Sequence, residues 1–285
     1  MKIRTIASLC TLLFAANTFA DVVVKETDKF QDVADKVSAL TAKAENPLVV
    51  IDIDNTLLTT TSDLGGDIWY QWQRGKLDVK PADGAKVDCL FQDSIGLLYE
   101  LVPMKTIEDN VPATVRGWQD SGVTVMALTS RSPNYRYATE REMYRNQFDM
   151  TISPLKEKAS DDIPVYIDNP KRALSYINGI MMTTGMNKGT MLKYVLDKTD
   201  QKFSQVVFVD DSKKNVVNME KAYKDDASVD MTIFHYTKVE DDRVEKYGSV
   251  LTQAQASKMA SDWKELNQIL DKVAPARIGD TCLGR

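Results

Sequence analysis

Residues 48–56 read LVVIDIDNT, an apolar run followed by two aspartates. A run dominated by β-branched residues is typical of a strand that is buried on both faces of a parallel sheet. Ligands of such sheets bind just beyond the carboxyl ends of the strands, which is where Asp52 and Asp54 stand. Since residues i and i+2 point the same way in an extended chain, we expect the two carboxylates to converge. Converging carboxylates repel each other unless a proton or a cation lies between them.

Two later segments repeat this design. Residues 123–128 are apolar except for Thr124 and end at Thr129, and the apolar residues 206–209 end at Asp210 and Asp211. Apolar residues at helical spacing precede or follow these strands, in segments 30–44, 108–119, 135–148, 189–198, 213–224 and 252–273. The alternation of strands and helices predicts an α/β fold with a Rossmann-like, doubly wound parallel sheet.

The segment 58–110 is too long for a plain loop in such a fold. We expect it to form an inserted, mainly helical cap after the first strand, carried by a core of residues 21–57 and 111–285. The segment contains an apolar helix near residues 93–101 and three aromatic residues, Trp69, Tyr70 and Trp72. These rings form the core of the cap or face a substrate, and the sequence leaves both readings open.

Residues 1–20 are expected to be a signal peptide, since a short basic start precedes an apolar run and small residues. The alternative is a membrane anchor or a buried helix, although the run is too short to span a bilayer. We therefore expect a periplasmic or secreted protein with no membrane segment after cleavage. Cys89 and Cys282 would then remain in an oxidising compartment and form a disulfide, the alternative being two unrelated thiols.

Composition removes several classes of function. The chain has 285 residues, of which 43% are hydrophobic and 27% charged, as is ordinary for a globular protein. Its net charge of -5 argues against a nucleic-acid partner. His235 is the only histidine and there are three cysteines, which excludes histidine-based phosphatases and histidine-rich metal sites. The acidic residues must therefore carry any chemistry.

Three further segments offer polar groups beside the expected strand ends. Thr129 and Ser130 have hydroxyl groups that bind an anion or cap the following helix. Asp210 and Asp211 form an acidic pair where the strand ends, and the alternative is that they cap the next helix and favour its dipole. Lys188 begins a predicted helix, where a positive charge opposes the dipole. An anionic partner would explain this position, and a solvated lysine is the alternative.

Taken in order, these residues resemble the haloacid dehalogenase superfamily of phosphohydrolases. Its order is DxDx[TV], a strand-terminal Thr or Ser, a Lys and an acidic pair. The residues that match are Asp52, Asp54, Thr56, Thr129, Lys188, Asp210 and Asp211. The resemblance spans about residues 48–215 and is nearest to a poorly characterised group of secreted bacterial members. The chain does not look like the class C acid phosphatases, whose first motif has Glu where Asn55 stands.

The resemblance implies a role for each of these residues. Asp52 would be the nucleophile, Asp54 the general acid and base, and Thr129, Ser130 and Lys188 would bind the phosphoryl oxygens. Mg²⁺ would bind to Asp52, to the backbone carbonyl of Asp54 and to Asp211. Behind them, orienting roles would fall to Asp210 and Asn215. Asp168 also ends a strand-like run and is the lesser candidate for the place of Asp211.

The resulting functional prediction is an extracytoplasmic, Mg²⁺-dependent phosphomonoesterase that acts on small phosphorylated metabolites through an aspartyl-phosphate. Two alternatives stay open at this point. One is a non-catalytic binding protein that keeps the fold. The other is a metal-dependent sugar transferase, in which a DxD motif holds the metal of a nucleotide diphosphate.

Overall fold

A mostly parallel β-sheet with helices on both faces makes the core of the protein. The computed structural model describes residues 21–160, 162–275 and 282, without the side chain of Gln92. The predicted signal peptide, residues 1–20, lies outside these residues. Within them, no helix is both long and apolar enough to cross a membrane.

The strands and helices alternate along much of the chain. The strands are Val22–Thr27 (β1), Leu48–Ile51 (β2), Leu58–Thr60 (β3), Met104–Thr106 (β4), Thr124–Thr129 (β5), Tyr166–Asp168 (β6), Leu174–Ile177 (β7), Ile180–Met182 (β8), Gln205–Asp210 (β9) and Asp230–Tyr236 (β10). The helices are Phe30–Thr41 (α1), Asp67–Gln73 (α2), Ile95–Leu101 (α3), Val111–Asp120 (α4), Arg136–Arg145 (α5), Lys188–Thr199 (α6), Lys213–Tyr223 (α7), Lys238–Tyr247 (α8) and Gln253–Val273 (α9).

The main sheet has the strand order β1-β10-β9-β2-β5-β8-β7-β6. Its first six strands run parallel, whereas β7 and β6 pair antiparallel at one edge. The central strand β2 lies between β5 and β9, with Ile51 opposite Ala127 and Val209. The carboxyl ends of these three strands therefore meet at one edge. The predicted α/β class and the mostly parallel sheet are confirmed.

Side chains of β2 alternate between two hydrophobic clusters, one on each face of the sheet. Val49 and Ile51 belong to the cluster that α1 and α4 cover, and Leu48 and Val50 to the cluster that α6 and α7 cover. Every residue of β2 is fully buried. This double burial explains why the strand reads as a continuous apolar run rather than an alternating one.

The sequence predicts the hairpin of the sheet well but does not predict its edge strand β1. The hairpin between β7 and β8 turns at Asn178 and Gly179, with φ of 53° and 74°, values that an Asn-Gly pair adopts readily. By contrast, β1 was not predicted, so the insertion follows the second strand rather than the first. This strand pairs only with β10, at the sheet edge, and Val23 and Val24 stay exposed.

The inserted segment packs against the C-terminal helix as well as against the sheet domain. A third hydrophobic cluster joins Trp69, Trp72 and Leu98 of the insertion to Ala256 and Met259 of α9. The insertion has its own two-stranded sheet, β3 with β4, and is otherwise mainly helical. The domain boundaries at residues 57 and 110 stay a prediction, but the core of this module includes the last helix.

A disulfide joins the insertion to the C-terminal tail. Cys89 and Cys282 are bonded, with 5.4 Å between their Cα atoms. The bond confirms the pairing expected from the sequence. It ties residues 193 positions apart, and Leu90, next to Cys89, belongs to the cluster between the insertion and α9.

Candidate active site

The chain turns sharply just after β2, and this turn presents Asp52 and Asp54. The backbone N–H of Asp52 donates to the carbonyl of Val209 at 2.9 Å, which extends the sheet by one residue. Asn55 then adopts a left-handed conformation with φ of 55°. The Ile53 carbonyl accepts backbone N–H groups from the following residues and closes the turn.

Contrary to the expectation from the sequence, the two aspartates do not converge on a common partner. Asp52 is buried, and its Oδ1 lies 2.6 Å from Nζ of Lys188. The carboxylate of Asp54 instead accepts two hydrogen bonds from Arg131, at 2.6 and 2.8 Å. The reason is that the chain bends at Ile53, between the two aspartates, so the extended geometry assumed for i and i+2 ends at Asp52.

Lys188 begins α6 and is fully buried between two carboxylates. Its Nζ lies 2.6 Å from Asp52 Oδ1 and 2.6 Å from Asp210 Oδ2. Burial by itself lowers the pKa of Lys188, but the charges of Asp210 and Asp52 outweigh it and hold the pKa above its usual range. Asp52 and Asp210 are therefore the anionic partners that explain a lysine at this end of the helix.

Gly189 fixes how closely α6 approaches α7. A Cβ atom at this position would lie 2.5 Å from Cβ of Ala222 and 2.8 Å from the carbonyl oxygen of Asn218. Only glycine permits this approach without a shift of the helix. The position of the neighbouring Lys188 therefore depends on close packing behind it.

Asp210 ends β9, and both of its carboxylate oxygens accept hydrogen bonds. Besides Lys188, it accepts a hydrogen bond from the Ser212 backbone at 2.9 Å and from Asn215 Nδ2 at 3.0 Å. These contacts place Asp210 between Lys188 and Asn215, and the orienting roles of Asp210 and Asn215 stay predictions.

Asp211 lies beside Asp52 and Asp210, and carboxylate oxygens of the three lie within 4.8 Å of one another. Burial raises the pKa of Asp211 well above its usual range, and the charges of Asp67, Asp52 and Asp210 add to the effect. Burial also raises the pKa of Asp52, against the opposing charge of Lys188. One lysine does not neutralise three clustered carboxylates, and hard oxygen donors suit Mg²⁺. The donor set therefore fits a divalent cation.

Thr129 and Ser130 follow β5 on the other side of β2. Thr129 is buried, and its Oγ1 accepts the backbone N–H of Arg131 at 3.1 Å, which leaves the hydroxyl hydrogen free to donate. Ser130 is exposed, and its carbonyl accepts the N–H of Gly185. Both residues stand at the same sheet edge as Asp52, because β5 and β2 run in parallel register.

Asp168 lies apart from this group. It is exposed on β6, at the far edge of the sheet, and accepts a hydrogen bond from the Tyr194 hydroxyl at 2.7 Å. Between the two candidates for the acidic partner of Asp52, the geometry favours Asp211.

Four residues near the site had no role in the sequence prediction. Arg131 stands two residues after Thr129, and its guanidinium carbon lies 4.0 Å from the ring centroid of Tyr99, the second of these residues. His235 places its ring nitrogens 3.0 Å from Glu26 Oε2 and 3.0 Å from the carbonyl oxygen of Asp211. The fourth is Asp67.

Asp67 brings a carboxylate of the insertion close to the site. Its Oδ2 accepts hydrogen bonds from Asn55 Nδ2 and from Gln71. Burial raises the pKa of Asp67 to about 6; the bond from Gln71 opposes this shift and the charge of Asp54 adds to it. No sequence motif marks this residue, because its proximity arises only when the insertion folds back onto the turn after β2.

The aromatic residues of the insertion divide into two groups. Trp69 and Trp72 are buried in the cluster shared with α9, and the Trp69 ring lies 5.9 Å from that of Trp263. Tyr70 is half-buried against Phe91. The two tryptophans therefore belong to the core of the insertion.

Fold and site together define an α/β protein with an acidic, lysine-containing centre at the carboxyl edge of a parallel sheet. Over residues 26–276 the sequence matches the family described as "Protein of unknown function (DUF2608)", and the chain belongs to that family. No curated protein matches the chain.

Solved structures of one enzyme resemble the chain. The class C acid phosphatase from Bacillus anthracis has 13% identity, with 82% of this chain and 86% of that chain covered and a TM-score of 0.41. The tungstate-bound form of that phosphatase has 14% identity, the same coverage of both chains and a TM-score of 0.40. At 13% and 14% identity and TM-scores of 0.41 and 0.40, the likeness says nothing about the activity of this chain. Asn55 remains a difference from the first motif of that class, and the expected secreted group stays a prediction.

Proposed function

We propose that the protein is a Mg²⁺-dependent phosphomonoesterase that acts outside the cytoplasm on small phosphorylated molecules. The observation that carries the proposal is the placement of Asp52. Its carboxylate lies at the end of the central strand, 2.6 Å from a buried lysine and beside two further carboxylates that suit a cation. The order of these residues along the chain, which resembles a phosphohydrolase superfamily, supports the same conclusion.

In the first step, a carboxylate oxygen of Asp52 attacks phosphorus and the bond from phosphorus to the ester oxygen breaks. The product is an aspartyl-phosphate, and the departing alkoxide takes a proton from Asp54. A covalent intermediate divides one difficult displacement into two easier ones. Lys188 holds the attacking carboxylate in place and offsets negative charge as it develops.

In the second step, water attacks the phosphorus of the aspartyl-phosphate and gives its proton to Asp54. The bond from phosphorus to Asp52 breaks, which releases inorganic phosphate, frees Asp52 as a carboxylate and leaves Asp54 protonated again. Asp54 stands two residues beyond the nucleophile, and Arg131 fixes its carboxylate. Proton transfer by a positioned side chain contributes about 10²- to 10⁴-fold to such reactions.

The phosphoryl group would be held by the hydroxyl of Thr129, by the segment at Ser130 and by Lys188. Asp52, Asp211 and the backbone carbonyl of Asp54 would hold Mg²⁺, with Asp210 close behind. When bound, this ion supplies positive charge that offsets the repulsion between the nucleophile and the phosphate.

The two alternative functions fit this geometry less well. A sugar transferase of the DxD type uses the motif to grip metal, yet the carboxylate of Asp54 is bound by Arg131 and lies outside the acidic group. A protein that only binds a ligand does not need a buried lysine that holds a carboxylate at the carboxyl end of the central strand. The extracytoplasmic location draws support from the apolar run within residues 1–20 of the sequence and from the disulfide between Cys89 and Cys282.

Hydrolysis of 4-nitrophenyl phosphate, with and without Mg²⁺, tests the proposal directly. We expect turnover that requires the ion, followed by hydrolysis of selected members of a panel of small phosphorylated metabolites. Absence of turnover on the chromogenic ester and on the whole panel would favour the binding protein.

A further inference from the structure

Arg131 is a buried arginine whose guanidinium contacts several segments at once. Its side chain is 2% exposed. Nε and Nη2 donate to the two oxygens of Asp54 at 2.8 and 2.6 Å, and Nη1 donates to Oγ1 of Thr139 at 3.1 Å. A planar guanidinium bound in this two-pronged way fixes both the position and the rotation of the carboxylate.

The backbone of Arg131 is anchored to the sheet domain. Its carbonyl oxygen accepts hydrogen bonds from the N–H groups of Thr183 and Thr184, both at 3.1 Å, and its N–H donates to Thr129. The base of the side chain therefore has little freedom to shift. Any residual freedom is that of the long side chain itself.

The insertion closes the remaining side of this arginine. The ring of Tyr99, on α3, lies 4.0 Å from the guanidinium carbon, and Sδ of Met104, on β4, lies 3.3 Å from Nη2. Stacking of a guanidinium on an aromatic face is attractive and also restricts its tilt. The insertion thus contributes to the placement of a group that touches Asp54.

We propose that Arg131 is the positioning residue for Asp54, and that Tyr99 of the insertion sets its orientation. Arg131 does not itself react. It holds the carboxyl that exchanges the proton, so the packing of the insertion determines where that proton is delivered. This inference rests on the phosphomonoesterase function proposed above.

A misplaced proton donor affects some esters more than others. A departing group that is stable as an anion leaves without protonation, whereas a basic one needs the proton from Asp54. The ratio kcat/KM includes only steps up to the departure of the leaving group, so it isolates this first proton transfer. A purely structural defect would lower kcat/KM for all esters by the same factor.

The test uses phenyl phosphates of similar size whose departing phenols differ in acidity, with 4-nitrophenyl phosphate as the most reactive. For Arg131→Lys, which keeps the charge but loses the two-pronged bond, kcat/KM should fall ~10- to 10²-fold on phenyl phosphate. On 4-nitrophenyl phosphate it should change by no more than about threefold. Tyr99→Leu should show the same trend more weakly, while Tyr99→Phe, which keeps the ring, should match wild type.

Two controls separate positioning from structural damage. Arg136→Lys alters another arginine of the same region, which binds the carbonyls of Ile177 and Ile180, and should leave the dependence on the leaving group unchanged. Adding Arg131→Lys to Asp54→Asn should not make kcat/KM depend more steeply on the acidity of the departing phenol, since the group that Arg131 positions is already lost. If Arg131→Lys does not fold, Tyr99→Leu carries the test.

Distinct outcomes distinguish the two proposals. A wild-type protein without turnover in the presence of Mg²⁺ overturns the proposed function and this inference with it. A wild-type enzyme that hydrolyses the whole series, with Arg131→Lys and Tyr99→Leu variants that lose activity equally on every ester, overturns the inference alone. The inference would also be overturned if the effects of Arg131→Lys and Asp54→Asn on the dependence of kcat/KM on phenol acidity added up in the double variant.

Discussion

Nζ of Lys188 lies 2.6 Å from Oδ1 of Asp52, and both groups are buried at the end of the central strand. The Lys188 side chain is 0% exposed and that of Asp52 is 7% exposed, so each charge depends on the other, and Lys188 also on Asp210. Removal of one member of a buried ion pair commonly costs about 3–5 kcal/mol, because the other is left uncompensated. Substitution of Asp52 is therefore best made with a residue that keeps its shape and its hydrogen bonds.

Asp52→Asn is expected to abolish hydrolysis of 4-nitrophenyl phosphate while the protein stays folded. Asparagine fills the same volume and accepts a hydrogen bond from Lys188, but its amide cannot attack phosphorus. Activity and circular dichroism, measured on the same sample, check both parts. A folded Asp52→Asn protein with the wild-type rate would exclude Asp52 as the nucleophile.

Chelation by EDTA is expected to remove activity, and added Mg²⁺ to restore it. Asp211→Asn should raise the Mg²⁺ concentration needed for half-maximal activity, because one of the three clustered carboxylates loses its charge. Asp168→Asn is the matched control and should leave the requirement unchanged, since Asp168 is exposed at the sheet edge. A larger effect of Asp168→Asn would show that the metal site is assigned to the wrong acid.

Asp67→Asn is expected to stabilise the protein at neutral pH. Burial raises the pKa of Asp67 from 3.8 to about 6, so the folded state binds this proton more tightly than the unfolded state does. Between about pH 4 and pH 6 the unfolding free energy therefore falls as pH rises. Asparagine removes this contribution and keeps an oxygen for the bond from Asn55.

Melting temperatures of wild type and Asp67→Asn at pH 4 and pH 7 measure the difference. Asp78→Asn, an exposed acid of the same insertion, is the control and should match wild type at both values. If the melting temperature of the wild type falls no more than that of Asp67→Asn between pH 4 and pH 7, the raised pKa of Asp67 is contradicted.

Replacing both Cys89 and Cys282 with serine is expected to lower the melting temperature. Closure of a loop of this length stabilises a protein by about 5 kcal/mol in the chain-entropy model, and measured gains are often smaller. Dithiothreitol should lower the melting temperature of the wild type to the same extent and leave the double variant unchanged. Two free thiols in an unfolded, non-reduced chain that lacks residues 1–20 would exclude the bond.

Trp69→Ala is expected to destabilise the protein and to affect all substrates alike. The ring is fully buried, and truncation of such a residue to alanine commonly costs about 3–5 kcal/mol. Thermal melting together with kcat/KM on several esters checks the two parts. A changed preference among esters without a lower melting temperature would mean that the ring faces the substrate.

The sequence predicts the sheet and the centre of the site because both depend on short, local patterns. β2, β5 and β9 are buried on both faces, so their apolar runs are continuous, and the polar residues that follow each run meet at one edge. Asp52, Asp210 and Asp211 were found in this way, and Lys188 was found from its place at a helix end.

Contacts between distant segments leave no such pattern. Arg131 and Asp54 are 77 residues apart, and Asp67 reaches the site only through the fold of the insertion. β1 has one buried residue at its end and exposed residues in its middle, since it lies at the sheet edge. The packing of α9 on the insertion was missed for the same reason, because an amphipathic helix shows that it has an apolar face but not what covers that face.

The shared cluster of the insertion and α9 determines the order in which the protein completes its structure. Residues 58–110 leave the ribosome long before residues 251–259, which supply Leu251, Ala256 and Met259 to the same cluster. Until then, Trp69 and Trp72 lack part of their cover, and the segment that carries Tyr99 lacks its final support. Helix α9 therefore completes the core of the inserted module, and a nascent chain that ends before it lacks part of the support for Tyr99.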